Sequence, residues 1–261
     1  MQDVFRGRSA ELKILDKKFK HNGFVMTVLY GRRRVGKTKL VNKFIQEHDC
    51  KSISFTAVER EESELLSMMT ESVLAALAPD MLGDINFNSF EKLFDFIGRQ
   101  AEEERIVFFI DEYPYLAKQC PYIQSVLQRT IDTRWNTGNL FFILCGSLVS
   151  FMKEEVLAES APLHGRSNLE LKLRPFNYLE TADFLEGFSN EDKAICYGLT
   201  NGVAKYIEQF DTNLPLEENI IDQFYSVGGY FSEEQVKTIV SSEKQSPALY
   251  NSIISAVATG H

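Results

Sequence analysis

Eight consecutive residues can grip phosphate: Gly31, Arg32, Arg33, Arg34, Val35, Gly36, Lys37 and Thr38. They fit the pattern G-x-x-x-x-G-K-[ST]. Glycines let a backbone turn tightly, so that successive N–H groups face one concavity. A helix starting near Lys37 would present the positive end of its dipole to the same concavity. Lys37 supplies a point charge to β- and γ-phosphates, and the Thr38 hydroxyl is a hard oxygen donor suited to Mg²⁺. The sequence Phe108-Phe109-Ile110-Asp111-Glu112 brings two acids to the end of an apolar run. Asp111 is expected to hold Mg²⁺, often through water, and Glu112 to activate an attacking water as general base. Glutamate directly after aspartate favours hydrolysis of a nucleoside triphosphate over transfer of its phosphoryl group.

Two further residues stand near these. Ser147 follows Leu144-Cys145-Gly146. It reads either as a polar sensor of γ-phosphate or lytic water, or as the cap of the next helix. Arg166, in Leu163-His164-Gly165-Arg166, reads either as an arginine finger in cis or in trans, or as an ion-paired surface residue. The side chains of Arg32–Arg34 can meet phosphate or a partner, although in such a loop the backbone matters more. Asp132 reads as an ordinary polar-face residue. His21, His48, His164 and His261 lack metal-ligand spacing.

These residues need strands and helices to hold them. Residues 24–30 (FVMTVLY), 52–57, 106–110, 140–145 and 168–173 read as five strands. Helical stripes lie between them: Leu40, Val41, Phe44 and Ile45; Leu66, Met69, Val73 and Leu77; Phe90, Leu93, Phe94 and Ile97. One long helix after Pro114 is expected to carry Leu116, Ile123, Leu127 and Ile131. Alternating strands and helices imply an α/β fold with a parallel sheet covered on both faces and ligands at the C-terminal strand ends. From Pro175 on the pattern is helical only.

The 261 residues are 44% hydrophobic and 25% charged, as in an ordinary globular protein and unlike a disordered chain or a disulfide scaffold. No apolar run approaches the roughly 20 residues that span a bilayer. The four cysteines lie far apart, without a C-x-x-C pair, and a reducing cytoplasm is the expected location. Residues 1–50 carry twelve Lys/Arg against five Asp/Glu, a net of +7, while the whole chain is at −9. An anion is thus expected to meet the N-terminal part, and strong DNA binding by the whole chain is not.

With its motifs in order (Phe5-Arg6-Gly7-Arg8-x-x-Glu11-Leu12, YGRRRVGKT at 30–38, FIDEY at 109–113, Cys145-Gly146-Ser147, Gly165-Arg166 and Leu173-Arg174-Pro175-Phe176) the chain resembles the prokaryotic archaeal-type ATPases. These belong with the AAA+ and STAND P-loop NTPases. The resemblance implies a five-stranded core of order 5-1-4-3-2 and a helical lid. It places Phe5 and Arg8 near adenine and implies ATP with Mg²⁺ as the ligands. Nucleotide contacts are expected from Phe5, Arg8 and the loop Gly31 through Lys39, metal contacts from Thr38 and Asp111, and catalysis from Lys37, Glu112, Ser147 and Arg166. Asn201-Gly202-Val203-Ala204-Lys205-Tyr206 stands where relatives often have Gly-Gly-x-Pro-x-Tyr, so Asn201 and Ala204 depart from the pattern. The expected organisation is a core over 1–174, a lid over 175–245 and the start of a winged-helix-like segment over 246–261, as in a truncated chain or a shortened relative. The function expected is an ATPase acting as a nucleotide-driven switch. The alternatives are a nucleotide-binding signalling or scaffold module with negligible hydrolysis, and a DNA-associated ATPase of replication or defence. A protein partner or self-association fits any of these, while DNA binding would need a region absent from this chain.

Overall fold

The computed structural model describes residues 5–232, 252, 255 and 256. The chain divides into two compact units, Met1–Pro175 and Phe176–His261.

In the first unit five strands form one parallel sheet: β1 (Val25–Tyr30), β2 (Lys51–Thr56), β3 (Ile106–Asp111), β4 (Leu140–Gly146) and β5 (Leu169–Lys172). Their order is β2-β3-β4-β1-β5, the 5-1-4-3-2 arrangement expected, read from the other edge. The three central strands are buried along their whole length, which is why they read as unbroken apolar runs.

Alternation along the strands sends their side chains into two cores. Met26, Val28, Phe108, Ile110, Phe142 and Leu144 meet α3 (Glu62–Leu77), α4 (Phe90–Glu103), α5 (Tyr113–Gln119) and α6 (Ile123–Thr133). Leu29, Phe109, Phe141, Ile143 and Cys145 meet α1 (Ser9–Phe19) and α2 (Lys37–Gln46). Trp135 lies in the first core, fully buried, and its indole N–H donates to the Phe94 carbonyl at 2.9 Å.

Two helices differ from expectation. The stripe from Leu116 to Ile131 is two helices, α5 and α6, parted at Cys120 and Pro121. Apolar spacing runs across the gap, but proline lacks the N–H that a helix interior needs. Helix α1 has no counterpart among the expected elements; of its residues only Leu15 is fully buried, so its apolar stripe is thin. A short helix, α7 (Val149–Phe151), follows β4 and runs into a π-helical turn over Met152–Val156.

Gly31 has a role beyond tight turning. A Cβ built there would lie 2.2 Å from the Leu173 carbonyl oxygen, where the chain leaving β5 returns its amide to Tyr30 at 2.7 Å. Gly31→Ala is therefore expected to push the end of β5 off β1, at a cost of about 1–3 kcal/mol. Thermal unfolding should show this as a drop of several degrees in Tm; an unchanged Tm would mean that Leu173 yields freely.

The second unit contains α8 (Tyr178–Phe184), α9 (Asn190–Thr200), α10 (Ala204–Ile207) and α11 (Leu216–Ile220) around Phe176, Leu185, Cys196, Ile207, Phe210 and Phe231. Asn177 and Glu180 form a reciprocal capping box at the start of α8. Asn201 ends α9 at φ 48° and Gly202 follows at φ 68°. Asparagine is among the few side chains tolerated in that region, so the departure at Asn201 keeps the backbone path. Gly202 admits no side chain, because its Cβ would meet the Phe176 carbonyl oxygen at 1.9 Å. The expected winged-helix-like start over 246–261 and the end of the lid over 233–245 lie outside the described residues, apart from 252, 255 and 256.

Candidate functional site

The site forms where β1, β3 and β4 end. The loop after β1 leads into α2 through Arg34 at φ 71° and Gly36 at φ 97°, and Lys37 opens the helix. Lys37 is only 5% exposed. Its ammonium donates to the carbonyls of Gly31 at 3.0 Å and Arg32 at 3.2 Å, using two of its three donors. Arg32, Arg33, Arg34, Thr38 and Lys39 are exposed, Val35 is buried, and Gly36 is half-buried.

Asp111 ends β3 with its carboxylate buried. Thr38 Oγ1 donates to Asp111 Oδ2 at 2.5 Å, and the Glu112 amide donates to Asp111 Oδ1 at 2.9 Å. A hydroxyl and a carboxylate oxygen thus converge as hard donors, a set that fits Mg²⁺. Glu112 caps α5 from the left-handed region, at φ 50°. Its Oε2 accepts from the Ser147 hydroxyl at 2.7 Å and the Ser147 amide at 3.2 Å. Thr38, Asp111, Glu112 and Ser147 therefore form one hydrogen-bonded line across the strand ends.

Backbone strain gathers here. Among the described residues four non-glycine residues have positive φ, and Arg8, Arg34 and Glu112 are three of them. Each such residue costs on the order of 1–3 kcal/mol, which the surrounding structure must offset. Arg8 shows how: buried, it donates to the carbonyls of Val35 at 3.0 Å and Arg174 at 2.7 Å and pairs with Glu11 at 3.1 Å. Its guanidinium ties the phosphate loop to the chain after β5. Phe5, half-buried, packs on the core of α1 and α2.

Arg166 is held by a carboxylate and two carbonyls. It makes a two-pronged pair with Asp132, 2.9 Å from Nε and 2.6 Å from Nη2, and Nη1 donates to the Pro162 and His164 carbonyls. The bond to Arg166 holds the Asp132 carboxyl below its ordinary value. A carboxylate lowered in the folded state contributes stability at neutral pH that is lost as pH falls through its folded value. With Asp132 half exposed, that is worth no more than about 1 kcal/mol.

Asp132 and Tyr115 carry no motif signal, and Cys145, although inside the Cys145-Gly146-Ser147 motif, owes its place beside Asp111 to the fold. Asp132 lies 34 residues from its arginine. Tyr115, on the first turn of α5, accepts from Arg33 Nη2 at 2.6 Å. Cys145 neighbours Asp111 across β3 and β4, because Ile110 pairs with Leu144 and the next residues follow in register. Burial, with Asp111 beside it, pushes this thiol well up, so it stays protonated.

Comparison with known proteins fits this geometry. Residues 5–210 match the model of a family described as an ATPase domain predominantly from Archaea. The chain belongs to that family. It is a nucleotide-binding ATPase domain. An uncharacterized protein of Methanocaldococcus jannaschii is 29% identical over 258 residues, which cover 99% of this chain and 55% of that one. The chain thus spans about half the length of that curated relative. Among solved structures, Drosophila ORC bound to DNA is similar with a TM-score of 0.55 at 18% identity, over 98% of this ATPase chain and 67% of that chain. Cdc6p of Pyrobaculum aerophilum gives a TM-score of 0.55 at 15% identity, over 89% and 64%. At such identities the likeness concerns the fold of this ATPase. Among the described residues no helix is long and apolar enough to cross a membrane.

Proposed function

We propose that the protein is a Mg²⁺-dependent ATPase that hydrolyses the γ-phosphate bond and works as a nucleotide-driven switch. The observation that carries this reading is the line from Thr38 through Asp111 and Glu112 to Ser147, set beside Lys37 at the start of α2. Thr38 and Asp111 hold Mg²⁺, which when bound supplies charge neutralisation at the phosphate oxygens. Lys37 and the loop amides Arg32 to Thr38 bind and orient the triphosphate. Glu112 takes the proton of the attacking water at its carboxylate. Ser147 both orients that carboxylate and reports whether a γ-phosphate is present, because its hydroxyl can bond to only one of them at a time. That exchange is the switch: with ATP bound the Ser147 hydroxyl turns to phosphate, and Glu112, still held by the Ser147 amide, has the freed lone pair for water. The helical unit from Phe176 acts as the lid, and the cytoplasm, where thiols such as Cys120 and Cys145 stay reduced, is the proposed location.

The test is release of inorganic phosphate from ATP, with magnesium and with EDTA in its place. Magnesium-dependent release is expected. Equal rates in both, or release no faster than from ATP in buffer, would contradict the reading.

A further inference from the structure

We propose that Arg33, oriented by Tyr115, is the arginine that stabilises the γ-phosphate during hydrolysis, with Tyr115 as its positioning residue. The inference rests on the ATPase reading above and adds two roles to it.

The arginines near the loop differ in what balances their charge. Arg8 is buried and paired with Glu11 at 3.1 Å. Arg166 is neutralised by Asp132 at 2.6 Å. Arg33 instead donates to a neutral acceptor, the Tyr115 hydroxyl, at 2.6 Å, and among the described residues no carboxylate pairs with it. A neutral acceptor fixes the direction of a guanidinium without cancelling its charge. Charge held in place before reaction is what stabilises a transition state most effectively.

Placement supports the same role. Arg33 sits inside the phosphate loop, between Gly31 and Gly36. Tyr115 lies within one helical turn of Glu112, and its amide donates to the Glu112 carbonyl at 3.0 Å. Its ring is packed against the core of α3 to α6, so the hydroxyl is a rigid post. The Arg33–Tyr115 bond therefore bridges the loop that binds phosphate and the helix whose cap activates water. As water attacks, negative charge spreads over the γ-phosphoryl oxygens, and a fork of N–H donors beside them lowers the barrier. Such an interaction is stronger in the transition state than in the ground state, so its loss falls on kcat more than on KM.

The experiment compares wild type, Tyr115→Phe, Arg33→Ala and the double variant in steady-state ATP hydrolysis. It also compares their affinity for ADP with and without aluminium fluoride. Tyr115→Phe is expected to lower kcat about tenfold, the worth of one hydrogen bond to a charged group, with KM within about twofold. Arg33→Ala is expected to lower kcat at least about a hundredfold. The double variant should fall no further than Arg33→Ala, because Tyr115 acts only through Arg33. Arg33→Ala should also lose about tenfold in affinity for ADP–aluminium fluoride while its affinity for ADP alone is kept. Additive losses in the double variant, or unchanged kcat in Tyr115→Phe, would overturn the inference. Equal ADP–aluminium fluoride affinities in wild type and Arg33→Ala would overturn it whatever the turnover. A wild type that binds this ligand in an Arg33-dependent way but releases no phosphate would instead refute the hydrolytic reading alone.

Discussion

Glu112→Gln is expected to bind ATP within about threefold of wild type and to lose turnover by about 10²–10⁴, the usual contribution of a general base. The substitution keeps an acceptor oxygen for the Ser147 hydroxyl, which bonds to Glu112 Oε2 at 2.7 Å, so the local fold is preserved. Only the affinity for a proton goes. The Glu112 carboxylate bonds to Ser147, whereas Lys37 bonds to Gly31 and Arg32, and Thr38 to Asp111. In the proposed function binding and chemistry fall to different side chains, and one change should separate them. Steady-state phosphate release beside a nucleotide-binding isotherm reads the two directly. Equal loss of both would assign Glu112 to binding and leave the general base unidentified.

Lys37→Ala is expected to do the opposite, weakening ATP by about one to two factors of ten. Its third donor is free for one charge-assisted hydrogen bond to phosphate, worth about 1.5–3 kcal/mol, at about 1.4 kcal/mol for each factor of ten. The ammonium is almost wholly buried, so the charge it offers is little screened by water. Its removal also leaves the Gly31 and Arg32 carbonyls without their lysine, which should loosen the loop. A binding isotherm with thermal unfolding alongside distinguishes lost affinity from lost fold. Unchanged affinity would mean that the loop amides alone hold the triphosphate.

The parts of this site written in contiguous residues are legible in the amino-acid sequence. The phosphate loop and the strand ending in Asp111 and Glu112 each lie within a single turn between elements, so spacing alone carries their chemistry. The sheet is legible as well, because strands buried on both faces are apolar at every position. Its order follows from the family resemblance, since periodicity does not say which strands are neighbours. Partners distant in sequence are not legible. Asp132 and Arg166 meet over 34 residues and Arg33 and Tyr115 over 82; the two arginines stand out in the sequence, but Asp132 and Tyr115, which hold them, look like ordinary residues until the chain is folded. The break between α5 and α6 is hidden for a different reason. The helical stripe stays in phase across it, and Pro121, which carries the signal, is a single residue set against four apolar positions. Gly31 combines both cases: its place in the motif is plain, but its closeness to the Leu173 carbonyl depends on β5 lying beside β1.

In the proposed function the bend from β1 into α2 holds a triphosphate. Calorimetric titration of ATP with magnesium into the wild-type protein tests it most directly, with Lys37→Ala as the comparison. Saturable heat at one site, nearly lost in Lys37→Ala, is the predicted result. No heat of binding, or the same heat from both proteins, would mean that the bend does not grip the triphosphate through Lys37.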